Sequence, residues 1–183
     1  MTEPAAYPAE LEDDIVLPNC RRLRIRPLRR CEEDAVRELY DHLSPRTRYL
    51  RFFSHMPRLP DDVVHMLACV DHRRRLALVA EHDNGNGREI VGLASFGATD
   101  DGKVEMGLVV RDDWQRQRLG TELAGRLLQA AEARGFHRFI ANVHSDNVAI
   151  RRLLRNLGDV VSTTMSGGIS EFAFVRRRTK QAD

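Results

Sequence analysis

The chain holds little from which a metal site or a disulfide framework is built. Its 183 residues include three cysteines, Cys20, Cys31 and Cys69, odd in number and scattered. No CxxC or Cys/His spacing suits a metal ion. They read as reduced thiols with packing roles in a cytoplasmic protein. No apolar run is long enough to span a membrane, and the acidic N-terminus lacks the apolar stretch of a signal peptide. The formal net charge is only +2, and aromatic stacking motifs are missing, so no specific nucleic-acid partner is expected. Neither a GxxxxGK loop followed by Ser or Thr nor a GxGxxG fingerprint occurs. Repeats, low-complexity tracts and long linkers are absent as well. What is present, 42% hydrophobic and 31% charged residues, fits one globular domain with a real core.

The charge is unevenly placed. Met1–Cys20 carries Glu3, Glu10, Glu12, Asp13 and Asp14 with no Lys or Arg, and the C-terminus carries Arg176, Arg177, Arg178 and Lys180. Both ends are expected to be mobile or loosely docked. Residues 1–20 read as an irregular acidic leader, 21–178 as the folded domain and 179–183 as a tail. Alternation over Arg22–Arg26 predicts a half-exposed strand ending at Pro27. Helical spacing follows over Glu32–Leu43, is broken at Ser44-Pro45, resumes through Phe53, and begins again at Pro60. Arg75–Glu81, Glu89–Phe96 and Lys103–Val110 read as strands separated by the turns Asn84–Gly87 and Asp100–Gly102, an antiparallel meander. A long helix with Leu119, Leu123, Leu127 and Ala130 inward stops at Gly135. Phe136–Val143 is then a strand parallel to Lys103–Val110, because a helix links them. Asp146 or Asn147 caps a last helix with Ile150, Leu153, Leu154 and Leu157, and Val160–Met165 with Ile169–Arg176 forms a final hairpin. This is an α/β (α+β) domain with a mixed, mostly antiparallel sheet.

The stretch Val104–Gly120, VEMGLVVRDDWQRQRLG, is the most informative. It reads as a buried strand, a basic turn and a helix start with no capping side chain. A helix N-terminus already carries unsatisfied N–H groups and partial positive charge. Arg116 and Arg118 add to that charge, which an anion would balance; arginines on a solvated helix end are the plainer alternative.

This stretch, together with the following helix, Phe139–Val143 and NVAIRRLLRNLG, resembles the GNAT (Gcn5-related) N-acetyltransferase family, and in particular the catalytic domain of bacterial protein-lysine acetyltransferases. The resemblance covers roughly Arg22–Arg176. The family signature is Gln or Arg, two variable residues, Gly, one variable residue, then Gly or Ala. Gln115, Arg118 and Gly120 occupy the marked positions, with Arg118 in place of the first glycine. The resemblance implies a GNAT fold: helices on both sheet faces, and a splay between the family's fourth and fifth strands, here Lys103–Val110 and Phe136–Val143. It implies acetyl-CoA as co-substrate. The amides of Gln115, Arg116, Gln117, Arg118, Leu119, Gly120 and Thr121 would hold its pyrophosphate. The backbone of Leu108, Val109 and Val110 would pair with the pantetheine arm, and Asn142 and Asn147 would lie along the other side.

Acetyl transfer to an amine needs the amine neutral. For a lysine-like amine of pKa ~10.4, deprotonation at pH 7 costs on the order of 4–5 kcal/mol, which a positioned base helps to meet. Glu105 is the only carboxylate in VEMGLVV. In regular strand geometry it shares a face with Gly107 and Val109, a parity that a bulge at Gly107 would change. Apolar neighbours would raise its pKa and suit it to act as a base through water. It also resembles the Glu at this position in protein-lysine acetyltransferases; a solvated strand-edge residue is the alternative. Many family members place a Tyr seven residues after the Asn to protonate the leaving thiolate; counting from Asn147 gives Leu154, so that acid is absent. His144 is a lesser candidate base, Asp112 and Asp113 read as structural, and Trp114 as packing beneath the loop. The acceptor region is expected around Ser44–Met56, where Arg46, Arg48 and Arg51 would repel a polyamine unless paired. A protein lysine is the first choice of acceptor. A small-molecule amine, or a non-catalytic acyl-CoA-binding regulatory domain, stays open, as does a homodimer.

Overall fold

The computed structural model describes residues 5–177. Its sheet begins earlier than the sequence suggests. Asp13–Val16 forms β1 and pairs antiparallel with β2 (Arg22–Pro27), Ile15 opposite Leu23. The leader is therefore not irregular throughout. Four residues are too few to display alternation, and what fixes them lies elsewhere in the chain. Arg24 holds Glu12 and Asp14, Arg126 holds Asp13, and Leu17 is buried in the core. Glu12, Asp13 and Asp14 thus dock on basic residues, while Glu3 lies outside the described residues. At the other end, Arg176 and Arg177 pair with Glu132 and Asp159, while Arg178 and Lys180 lie outside the described residues.

The three early helices are α1 (Glu33–Asp41), α2 (Pro45–Phe52) and α3 (Asp61–Ala68). Pro45 opens α2 where its missing N–H costs nothing, and the Ser44 hydroxyl accepts the Thr47 amide at 3.2 Å. The meander follows as β3 (Arg75–Asp83), β4 (Arg88–Ala98) and β5 (Val104–Val110), all antiparallel. β5 pairs with β4 without a register break, so Glu105, Gly107 and Val109 do share one face. Then come α4 (Leu119–Ala133), β6 (Phe139–His144), α5 (Val148–Leu157), β7 (Gly158–Ser166) and β8 (Ile169–Arg176). The sheet order is β1-β2-β3-β4-β5-β6-β8-β7, and β5–β6 is its one parallel pair.

Two cores form, one on each face. α4 and α5 cover Ile25, Leu76, Phe96 and Phe139 through Leu119, Leu123, Leu127 and Leu154; α1 and α3 cover Ala77, Val79, Leu93 and Val109 through Leu39, Tyr40 and Val64. Gly158 permits the turn from α5 into β7, since a Cβ there would stand 2.5 Å from Phe174. β5 and β6 pair only at Val104–Phe139 and Glu105–Ile140. Beyond those two pairs the strands separate, which is the expected splay. Among the described residues, no helix is long and apolar enough to cross a membrane.

Candidate active site

The turn between β5 and α4 carries two arginines in left-handed backbone conformation, Arg116 (φ 60°) and Arg118 (φ 69°). Residues with a Cβ populate this region at a cost of roughly 1–2 kcal/mol, which explains why the family favours glycine at the position of Arg118. The substitution keeps the backbone shape and adds a charge. Arg118 flanks α4 without a side-chain cap. Among the described residues, the amides from Arg116 to Gly120 have no acceptor, whereas Thr121 donates to the Arg118 carbonyl at 2.9 Å. These orphan donors face a cavity of about 350 Å³. Arg46, Arg116, Arg118 and Arg152 stand around it, and Leu108, Ile150 and Leu153 give it an apolar floor. Orphan donors, a cluster of guanidinium groups and an apolar groove suit a phosphate-bearing ligand with a long thin arm.

Not every residue named from the sequence lines this cavity. Leu108, Val109, Val110, Gln115, Arg116, Arg118, Gly120, Thr121 and Asn147 do. The Leu119 side chain is fully buried in the core. The Gln117 side chain turns away, donating to the Asp113 carbonyl at 2.9 Å and accepting from Asn19 at 2.6 Å; only its backbone faces the turn. The Gln115 amide donates to the Val110 carbonyl at 3.0 Å and the Thr47 hydroxyl at 3.2 Å. Gln115 is therefore a brace between strand, turn and α2. Asn147 caps α5 by accepting the Ile150 amide at 3.2 Å.

Asp112 ties the same turn to α2. It accepts the Ser44 amide at 2.9 Å and the Ser44 and Thr47 hydroxyls at 2.7 Å each. Burial works to raise its pKa, but these bonds together hold it below the usual Asp value. Arg111 bonds both Asp113 and Glu89 at 2.7–2.8 Å. Trp114 is buried, with the Arg21 guanidinium 3.9 Å above its ring. These groups shape the loop, as read from the sequence.

At the inner end, the expected apolar surroundings of Glu105 are missing: the side chain is exposed. Its apolar sequence neighbours Val104 and Met106 point to the opposite face, Gly97 stands across the strand from it, and Gly107 follows on its own face. The two glycines open its flank toward β4, with Ile140 of β6 as its neighbour on the other side. Its carboxylate accepts from the Asn142 amide at 3.1 Å, so Asn142 touches the candidate base and lines a smaller cavity of about 60 Å³ between the parted strands. His144 on β6 accepts the Asp146 amide through Nδ1 at 3.2 Å, and its Nε2 lies 3.4 Å from the Tyr49 hydroxyl. Tyr49 stacks on His55 with ring centroids 4.7 Å apart. Leu154 is a core residue, so no hydroxyl stands at that place.

The sequence reading missed the setting of Arg51. Arg48 is spent on the Tyr40, Asp41 and Pro57 carbonyls, but the buried Nε of Arg51 has no hydrogen-bond partner. The guanidinium lies against Gly107, where a Cβ would stand 2.1 Å from Nη2. Burial pushes its pKa down, opposed by the Glu105 carboxylate acting through space. The available signal was Gly107 itself, since glycine inside a strand often marks a close approach.

The sequence profile of the Acetyltransferase (GNAT) domain family matches residues 22–159. An acetyltransferase of Pseudomonas aeruginosa is 31% identical over 146 residues, 79% of this chain and 78% of that protein. L-methionine sulfoximine/L-methionine sulfone acetyltransferases of Pseudomonas paraeruginosa and Pseudomonas aeruginosa are 35% identical over 114 residues, 58% of this chain and 64% of theirs. Among solved structures, the GNAT domain of S. lividans PAT superposes with a TM-score of 0.82 at 24% identity, covering 93% of this chain and 99% of that one.

Proposed function

From the premise that the chain belongs to the GNAT acetyltransferase family and uses acetyl-CoA, we propose that it acetylates a lysine side chain of another protein, with Glu105 as general base through a water molecule. The observation that carries this reading is the exposure of Glu105 at the mouth of the splay. A base in that position is reached by a long amine entering from outside, with no need to enclose the rest of the acceptor.

Acetyl-CoA, when bound, supplies an activated acetyl group as a thioester. The free amides of residues 116–120 would hold its pyrophosphate, with Arg116 and Arg118 as countercharge, while those of Gln115 and Thr121 are spent on the turn itself. The free edge of β5 at Leu108–Val110 receives the arm as an added strand would be received. The Val110 carbonyl is already taken by Gln115, so the pairing uses the groups before it. Asn142 orients the Glu105 carboxylate, and Glu105 takes the amine proton through water.

A panel of lysine-bearing proteins and peptides, run beside small amines and amino acids, tests the reading. Glu105→Gln is expected to lower turnover by about 10²- to 10⁴-fold while acetyl-CoA affinity stays within error. Unchanged turnover removes Glu105 as the base. Transfer confined to small amines replaces the acceptor assignment; that second reading is favoured by the two relatives named for methionine sulfoximine. Binding of acetyl-CoA with transfer to nothing on the panel would indicate a regulatory acyl-CoA-binding domain.

A further inference from the structure

Arg51 lies where the two cavities meet. It lines the larger one beside the helix start and the smaller one between the parted strands, together with Leu50, Leu108 and Leu153. Its guanidinium occupies the space that a side chain at Gly107 would fill, two residues past the last β5 residue paired with β6. Arg51 is half-buried, and its buried Nε carries an unsatisfied donor, which persists where something else compensates it. The Phe52 ring, 5.1 Å from the guanidinium, accepts nothing from the Nε donor, which stays unmet.

Among the described residues, no hydroxyl stands at the Leu154 position of the splay, and the Tyr49 hydroxyl is turned to His144. Both ring nitrogens of His144 are engaged by Asp146 and Tyr49. A ligand anchored at the helix start and running along Val110 and Leu108 travels about 10 Å to reach Gly107. There it meets Arg51. We propose that Arg51 stabilises the CoA thiolate as it leaves, doing by charge what a proton donor at the Leu154 position would do by protonation.

The step balances as follows. The amine nitrogen forms the C–N bond and the C–S bond breaks, its electron pair passing to sulfur. The amine proton goes through water to Glu105, and the thiolate stays ionised against Arg51 until solvent protonates it on release. The inference rests on the assignment of the cavity to acetyl-CoA. It does not depend on the acceptor or on Glu105 as base, so its failure is separate from theirs.

The test uses the product alone. Binding of CoA and of desulfo-CoA, which lacks the thiol, is measured by titration calorimetry between pH 6.5 and 10, with thiolate absorbance followed in parallel. The ionisable groups on this face include Glu105 and Lys103 near β5, His144 on β6 with Asp146 beside it, Glu171 on β8, Tyr49 on α2 and His55 beyond it, with Arg46, Asp112, Arg116, Arg118 and Arg152 around the outer cavity. Desulfo-CoA subtracts their titration. If Arg51 lowers the bound thiol pKa by about one unit, CoA affinity rises about tenfold relative to desulfo-CoA as pH climbs toward the free thiol pKa. Arg51→Gln is expected to abolish that rise and Arg51→Lys to keep part of it. Parallel pH profiles for CoA and desulfo-CoA in the unaltered protein overturn the proposal, whatever the variants do. So does a rise that survives Arg51→Gln.

Discussion

Arg26 and Arg51 are arginines drawn into the protein, but in opposite electrostatic company. Arg26, on β2, bonds Glu81 through Nε at 2.8 Å and Glu32 through both terminal nitrogens at 2.8 and 2.9 Å, and donates to the Pro27 carbonyl. Burial pulls its pKa down, yet the two carboxylates hold it above the ordinary value. Arg51, on α2, has a buried Nε that nothing accepts, and the nearby carboxylate of Glu105 is bonded to Asn142 instead. The first region is electrostatically finished, and its charges belong to the fold. The second is finished only when something negative enters the splay. A completed ion pair and an incomplete one thus separate structure from function within one domain.

Removing each charge is the sharpest way to break that contrast. Arg26→Met leaves Glu32 and Glu81 with only Arg88, 3.9 Å from Glu81, as a nearby cation and is expected to cost about 3–5 kcal/mol of stability. Arg51→Met removes a charge with no hydrogen-bonded counter-ion and is expected to leave stability unchanged or raise it. Urea denaturation of both variants decides this, and equal losses would erase the distinction. Gly107→Ala attacks the throat from the other side. Its Cβ would stand 2.1 Å from Nη2 of Arg51, so the guanidinium must move. Turnover is expected to fall by up to about 10²-fold, with the melting temperature nearly kept; unaltered kinetics would detach the Arg51 position from the chemistry.

Smaller effects sharpen the picture. Arg116→Glu should weaken acetyl-CoA binding by roughly 1–2 kcal/mol through local charge reversal at the helix start, read by calorimetry, and an unchanged affinity would leave the amides to act without that side chain. Acid sensitivity should come from paired regions. The Arg111 bond holds the Glu89 carboxyl below the usual Glu value. Its stabilisation is full above the ordinary pKa of ~4.3 and fades as pH falls through the depressed folded value. The urea midpoint of Glu89→Gln should therefore fall less between pH 6 and pH 3 than that of the unaltered protein.

The order of elements and the basic helix start were legible because each rests on local periodicity or turn chemistry. Asn84–Gly87, Ser44-Pro45 and the Leu119–Ala130 stripe each specify their own backbone. What escaped depended on distant partners. β1 is fixed by Arg24 on the next strand and by Arg126, which is far from it in sequence. Glu105 sits in an apolar run but is exposed, with Gly97 of another strand on one flank and Ile140 on the other. Gln117 was placed correctly in the turn, yet its side chain answers to Asn19. Arg51 looked like its neighbours on α2, and only the void at Gly107 distinguishes it.

The two residue pairs that join β5 to β6 also have a thermodynamic side. They make a weak seam across an otherwise continuous eight-stranded sheet. Amide exchange near such a seam reports local opening rather than global unfolding. An occupant lying between the strands would close it, and each tenfold excess of ligand over its dissociation constant adds about 1.4 kcal/mol to the folded state. The protection gained should appear first in the strand ends that face the gap. In this protein the co-substrate would serve as the missing stretch of sheet.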